Sequence, residues 1–242
     1  PRIRNILIDG NEVVQATAGI NLLGDEMLTR DNPLSFKTHR VPVKLEGGDV
    51  DAIRLPNGEV GLMVGPWSII SNIVNLANKE AGRKKYTAND IEGFSKIPRE
   101  VFVRLLRKLK NDYKRFLGVS KVVFVDEANF LSLAEQYDDI TLETLFPQKF
   151  FHTDMAVKVA TDGNGKTVAF CTGCDNPMGR DYLQRIKAQF SGLGYEVVDL
   201  PCGPFATMNY TNGLMYTKNG EKVVVMPTYG IDEDEVAARI YQ

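Results

Sequence analysis

His152 and Asp154, two positions apart, are the most chemically suggestive pair in the chain. Histidine titrates nearest neutrality and can both take and give a proton, and a neighbouring carboxylate raises its basicity or binds a cation. The residues that follow are β-rich, which predicts a strand from Met155 to Ala160 opened by the pair. In an extended strand residues two apart share a face, so both side chains would enter one pocket. Taken alone, His152-Thr153-Asp154 is better read as a surface histidine beside a turn-associated aspartate. Two further acidic blocks, Arg30-Asp31-Asn32-Pro33 and Glu46-Gly47-Gly48-Asp49, sit where proline and paired glycines impose irregular backbone. Side chains are commonly presented to ligands from such backbone, although a block of this kind alone is more often an ordinary acidic turn than a site.

A fourth candidate fails on context. Residues Ala160 to Thr167 satisfy a relaxed phosphate-loop pattern, but such a loop must run into a helix whose N-terminal amides hold the phosphates. Here Val168-Ala169-Phe170-Cys171 is β-like, so Asp162-Gly163-Asn164-Gly165 is expected to be a hairpin turn. Asn209-Tyr210-Thr211 is formally a glycosylation acceptor and carries no functional weight.

The elements that must position these residues alternate. β-rich runs occur at 3–8, 41–45, 61–64, 122–125, 155–160, 168–170, 196–200, 213–217 and 222–226. Helices are expected at Pro66 to Glu80, with proline in its first turn, and at Arg99 to Leu117, stopped by Gly118. Amphipathic spacing adds Asp181 to Phe190 and Asp232 to Tyr241. Strand pairs alternating with helices indicate a mixed α/β protein. The polar stretch 82–90 reads as an exposed excursion, and Arg104, Arg107, Lys108, Lys110, Lys114 and Arg115 as the solvent side of an amphipathic helix.

Bulk properties narrow the function classes. The 242 residues can bury a full core, with 43% hydrophobic and 25% charged residues in an ordinary globular balance. A formal net charge of -2 gives no reason to expect nucleic acid or an anionic membrane as partner, and no apolar run is long enough to span a bilayer. Cys171, Cys174 and Cys202 are too few for a disulfide framework and make a poor zinc set, which leaves the compartment open. The chain starts at Pro1 and stops at Gln242 just after a helical segment, so it reads as a piece cut at both ends.

In their order along the chain, the blocks resemble the guanidine-modifying superfamily, which includes agmatine deiminases and bacterial peptidylarginine deiminases. The family's Trp-x-Arg-Asp-x-x-Pro block is similar to Leu28-Thr29-Arg30-Asp31-Asn32-Pro33, with Leu28 in place of tryptophan and Pro33 one residue early. Glu46 to Asp49 resembles its Glu-Gly-Gly-Asn/Asp block, and His152 with Asp154 its His-x-Asp. Asn209 to Leu214, followed by Val223 to Pro227 and Asp232-Glu233-Asp234, resembles the peptidylarginine deiminase side of the group.

The resemblance implies a single domain over 1–242 with the α/β-propeller (pentein) fold, a pseudo-fivefold ring of ββαβ-like units, incomplete in this chain. It implies hydrolytic deimination of agmatine, arginine or peptidyl arginine to a ureido product and ammonia, with no organic cofactor or metal. Asp31 and Asp154 would hold the planar guanidinium through forked, charge-assisted hydrogen bonds, and His152 would transfer protons. Arg30, Glu46, Asp49 and Asn212 would bind substrate. The family's nucleophilic cysteine lies beyond a helix that resembles 232–241, where this chain stops, so a missing segment or a second chain would supply it. A catalytically inactive guanidine-binding or interaction protein of the same fold is the alternative.

Overall fold

The computed structural model describes residues 5–8, 12–16, 37–45, 48–83, 86, 97–136, 139–140, 152–162, 164–173, 177–204 and 208–242. The Arg30 to Pro33 block, Glu46, Gly47, most of the polar stretch 82–90 and Cys174 lie outside these residues.

One arrangement recurs: two antiparallel strands, then a third strand parallel to the second. In the first sheet β1 (Asn5–Ile8) pairs antiparallel with β2 (Glu12–Ala16), which pairs parallel with β3 (Lys37–Val41). In the second, β4 (Val50–Arg54) and β5 (Val60–Val64) are antiparallel. They are followed by α1 (Pro66–Glu80), a short β6 (Ile97–Pro98), α2 (Arg99–Leu117) and β7 (Lys121–Phe124), the last lying parallel to β5. Next come α3 (Glu127–Gln136) and β8 (Asp139–Ile140), which pairs with β6.

The third sheet joins β9 (Val157–Thr161) and β10 (Thr167–Thr172) antiparallel. The chain then crosses through α4 (Pro177–Gly192) to β11 (Glu196–Leu200), parallel to β10. A hairpin of β12 (Leu214–Lys218) and β13 (Glu221–Val225) and a helix α5 (Glu233–Tyr241) follow. The architecture is therefore mixed α/β built from small sheets, and among the described residues no closed propeller is present.

The central strands β5 and β7 bury both faces, each in a different core. Alternate residues of β5 and β7 divide between them. Leu62, Val64, Val122 and Phe124 face α1 and α2, where Ile69, Ile73, Phe102, Leu105, Leu109 and Tyr113 complete one core. Met63, Val123 and Val125 face the next unit, packing with Leu183, Ile186 and Phe190 of α4 and with Val157 and Ala169. The third sheet repeats the scheme, with Ala169 and Cys171 toward its own helix α4 and Phe170 toward the following helix. Phe170 stacks on Tyr241 of α5 with ring centroids 4.8 Å apart. The second and third sheets are thus packed between their own helix and the next unit's, which is why β5, β7 and β10 read as continuous apolar runs.

Local signals explain the helix ends. Pro66 opens α1, and Gly118, at φ 65, ends α2 in the left-handed conformation that spares a side chain its clash. The exposed cations of α2 are engaged on the surface: Arg104 grips Glu80 through both amino groups, Lys110 contacts Glu127, and Lys108 contacts Asp112. The turn after β9 is the expected hairpin, since Asp162 accepts N–H bonds from Asn164 and Lys166 and Gly165 sits at φ 84. Asp126 leaves β7 at φ 60 and is held by Arg185 (Nε–Oδ1 2.8 Å, Nη2–Oδ2 3.0 Å) while Gln189 accepts its N–H, which fastens the second unit to α4.

Two expectations need correction. The strand over 41–45 does not form, because β3 ends at Val41. At Lys44 an amide side chain takes a partner strand's place: Lys44 N–H donates to Asn72 Oδ1 (2.7 Å), and Asn72 Nδ2 donates back to the Lys44 carbonyl (3.0 Å). Nor does a strand begin at Met155. Thr153–Met155 is a single 3-10 turn and β9 starts at Val157, so His152 and Asp154 precede the sheet.

Candidate functional site

The period-two argument for His152 and Asp154 therefore does not hold, yet the two side chains still converge. They do so around Gly48, the third residue of the acidic glycine block. A Cβ on Gly48 would stand 2.6 Å from Asp154 Oδ2 and 2.9 Å from His152 Nδ1. Gly48 also has φ 80, so it is glycine for two reasons, backbone conformation and space. The Asp154 N–H donates to the Gly48 carbonyl at 2.8 Å, which sets the turn directly against the glycine.

Asp49 holds this junction. Its carboxylate is 1% exposed. Oδ1 accepts both the Thr153 N–H (3.2 Å) and the Thr153 hydroxyl (3.0 Å). Oδ2 accepts the N–H of Ser68, in the first turn of α1, at 2.5 Å. The Asp49 carbonyl accepts the Gly65 N–H at 2.6 Å. Gly65, the residue preceding α1, has no side chain with which to cap it, and Asp49 fills that role from the preceding strand turn.

Burial pushes the Asp49 carboxyl up to about 7 from its ordinary 3.8, against the opposing pull of the Ser68 and Thr153 hydrogen bonds. An acid raised in the folded state keeps its proton longer folded than unfolded. Its contribution to stability is complete below pH 3.8 and is lost as pH rises toward 7. Urea titrations of wild type and Asp49→Asn should therefore show a stability difference that shifts against wild type over this window, by up to about 1.4 kcal/mol per pH unit. A pH-independent difference would refute the shift.

Asn212 is exposed in the bend before β12, with its N–H on Asn209 Oδ1. Its neighbours serve the core. Tyr210 is fully buried and donates to Asp234 Oδ1 (2.7 Å), and Tyr241 donates to the Tyr210 carbonyl (2.8 Å). Asp234 also accepts the N–H groups of Tyr229 and Gly230, so this block anchors α5. Asn209 is itself buried, unlike a glycosylation acceptor. An open cleft lined by Val159, Phe170, Val198, Tyr216, Val224 and Tyr241 does not include Asp49, His152 or Asp154.

Arg30, Asp31 and Glu46 lie outside the described residues. Cys171 is fully buried and its thiol is pushed up to about 12 by burial, which is the opposite of what a nucleophile needs. Among the described residues no group of three or more His, Cys, Asp or Glu could hold a metal ion. Thr153, Gly65 and Ser68 were not anticipated. The available signal was the Gly65-Pro66 helix start without Ser, Thr, Asp or Asn before it, which requires an acceptor from elsewhere.

The sequence matches no protein-family model and no curated protein. The structure is similar to C. jejuni agmatine deiminase, with TM-score 0.56 and 14% identity over 96% of this chain and 58% of that chain. It is also similar to a cysteine-to-serine variant of C. jejuni agmatine deiminase with substrate bound, with TM-score 0.52 and 14% identity over 95% of this chain and 59% of that one. The chain thus spans less than two thirds of the length of either structure. Its fold is therefore like that of agmatine deiminase, a member of the group that its ordered acidic and histidine blocks resemble.

Proposed function

We propose that this chain carries the guanidinium-recognition and proton-transfer parts of a hydrolytic deiminase. The observation that carries the reading is the convergence of His152 Nδ1 and Asp154 Oδ2 on Gly48, supported by the fold likeness to agmatine deiminase. Guanidinium is planar and permanently charged, so its carbon becomes a usable electrophile only when the group is oriented and its protons are controlled. In this reading Asp154, with Asp31, supplies the orienting carboxylates, and Arg30, Glu46 and Asn212 are the substrate-binding residues that the resemblance implies.

A thiolate adds to the guanidinium carbon. His152 delivers a proton to the departing nitrogen, which leaves as ammonia, and the carbon stays bound to sulfur as a thiouronium. Water, deprotonated by His152, then adds to that carbon and the C–S bond breaks, giving the ureido product and restoring the thiolate. The net change converts one guanidinium and one water to the ureido product and ammonium, the second proton of the added water passing through His152 to the released ammonia. Cys171 is unsuited to this step, and neither Cys174 nor Cys202 stands where the resemblance places the nucleophile, so the reading takes the thiol from polypeptide outside these 242 residues. In the same reading 1–242 is one domain, and its successive sheet-and-helix units are consecutive blades of a pseudo-fivefold ring completed outside the chain.

The test is ammonia and ureido-product release by the full-length protein from agmatine, arginine and arginyl peptides. Turnover of at least one is the expected result. Saturable guanidine binding without ammonia release from any of them would overturn the deiminase reading in favour of a binding protein.

A further inference from the structure

The residue between His152 and Asp154 is the one that Asp49 grips. Asp49 and Thr153 are 104 positions apart, and both the N–H and the hydroxyl of Thr153 point at one carboxylate oxygen. The other oxygen is committed to the Ser68 N–H at the start of α1. Gly65 closes the junction from the third side: a Cβ there would lie 1.8 Å from both Asp49 Oδ1 and Thr153 Oγ1. The turn has little freedom left, because Asp154 N–H is bound to Gly48 and Ala156 N–H to the Thr153 carbonyl (2.9 Å).

We infer that Asp49 is a positioning residue that fixes His152 and Asp154 relative to α1 through Thr153, and that it does not itself bind the guanidino substrate; the inference rests on the deiminase reading of the site. Enclosure supports it, since a carboxylate 1% exposed offers a substrate no approach. Bond direction supports it too, because its partners are N–H and O–H donors of the site's own framework. A buried carboxylate spanning a helix N-terminus and a catalytic turn makes the location of the turn depend on a long, rigid element, which a surface turn alone cannot provide.

Three variants of the full-length protein test this. Thr153→Val removes the hydroxyl bond at nearly constant shape, Thr153→Ser keeps it, and Asp49→Asn turns an amide group toward donors. Misplacing catalytic groups while leaving the binding surface intact should lower kcat by about 10- to 100-fold in Thr153→Val and Asp49→Asn, with KM within about twofold. Thr153→Ser should recover kcat to within about threefold of wild type. A KM increase of more than about tenfold at unchanged kcat in Asp49→Asn would make Asp49 a substrate ligand and overturn the inference. So would wild-type kinetics in a folded Thr153→Val. Should the wild-type protein release no ammonia, the deiminase reading fails separately, and the positioning link is read by NMR. The His152 ring resonances, assigned with His152→Ala, should move in Thr153→Val and return in Thr153→Ser; unmoved resonances overturn the link.

Discussion

Gly65→Ala is expected to destabilise the protein by about 3–5 kcal/mol, far more than a glycine-to-alanine change usually costs. The backbone at Gly65, φ -81 and ψ 167, suits any residue, so strain is not the cause. Space is. The new methyl would stand 1.8 Å from Asp49 Oδ1 and Thr153 Oγ1 and 2.5 Å from Asp49 Cγ. Neither neighbour can retreat without giving up the hydrogen bonds that join the Thr153 turn to α1. Overpacking of this kind costs about 1–3 kcal/mol, and a buried carboxylate or amide left without its partner adds about 1–3 kcal/mol. Gly192→Ala is the control, since a Cβ there meets nothing within 4 Å, and its effect should stay within about 1 kcal/mol of zero. Urea denaturation of the two variants measures both, and a Gly65→Ala loss below about 1 kcal/mol would show that the junction is looser than described.

The second large effect concerns chemistry. Asp154→Asn and His152→Ala are each expected to lower kcat/KM for the guanidino substrate by about 10³ in the full-length protein, or about 4 kcal/mol of transition-state stabilisation. For Asp154 the cause is loss of the charge that orients a guanidinium. Its amide is nearly the same shape, and the backbone bond from Asp154 N–H to Gly48 remains. For His152 the cause is loss of the group proposed to deliver a proton to the departing nitrogen and to remove one from water. The two variants should unfold close to the wild-type temperature, which separates a lost function from a lost fold. Activity within tenfold of wild type in a folded Asp154→Asn would remove this carboxylate from the proposed chemistry.

What could be read in advance follows from where each signal is stored. The bounds of α1 and α2 were legible because proline and glycine act within one turn of themselves. The hairpin at 162–166 was legible for the same reason, since Asp162 bonds to residues two and four positions away. The strand β4 was not, because only Ile53 of its five residues is buried and no alternation marks it. Nor was α3, which buries only Phe130 and Ala134 and follows an aspartate at φ 60. Segment 42–45 was misread as a strand because the group that satisfies Lys44 is a side chain on a helix, 28 positions on.

The site divides in the same way. Its residue types and their order, Glu-Gly-Gly-Asp before His-x-Asp, belong to the sequence, and through the family resemblance they imply the guanidinium site proposed above. Strand periodicity offered a reason for His152 and Asp154 to meet, and that reason was wrong, since Asp154 lies on a 3-10 turn and His152 directly precedes it. Only the tertiary structure decided that they meet at Gly48, that Asp49 is buried beneath them, and that Gly65 must be glycine to leave room. Sequence encodes caps and turns through neighbours, whereas a carboxylate enclosed by residues 19 and 104 positions away acquires its environment only when the chain has closed around it.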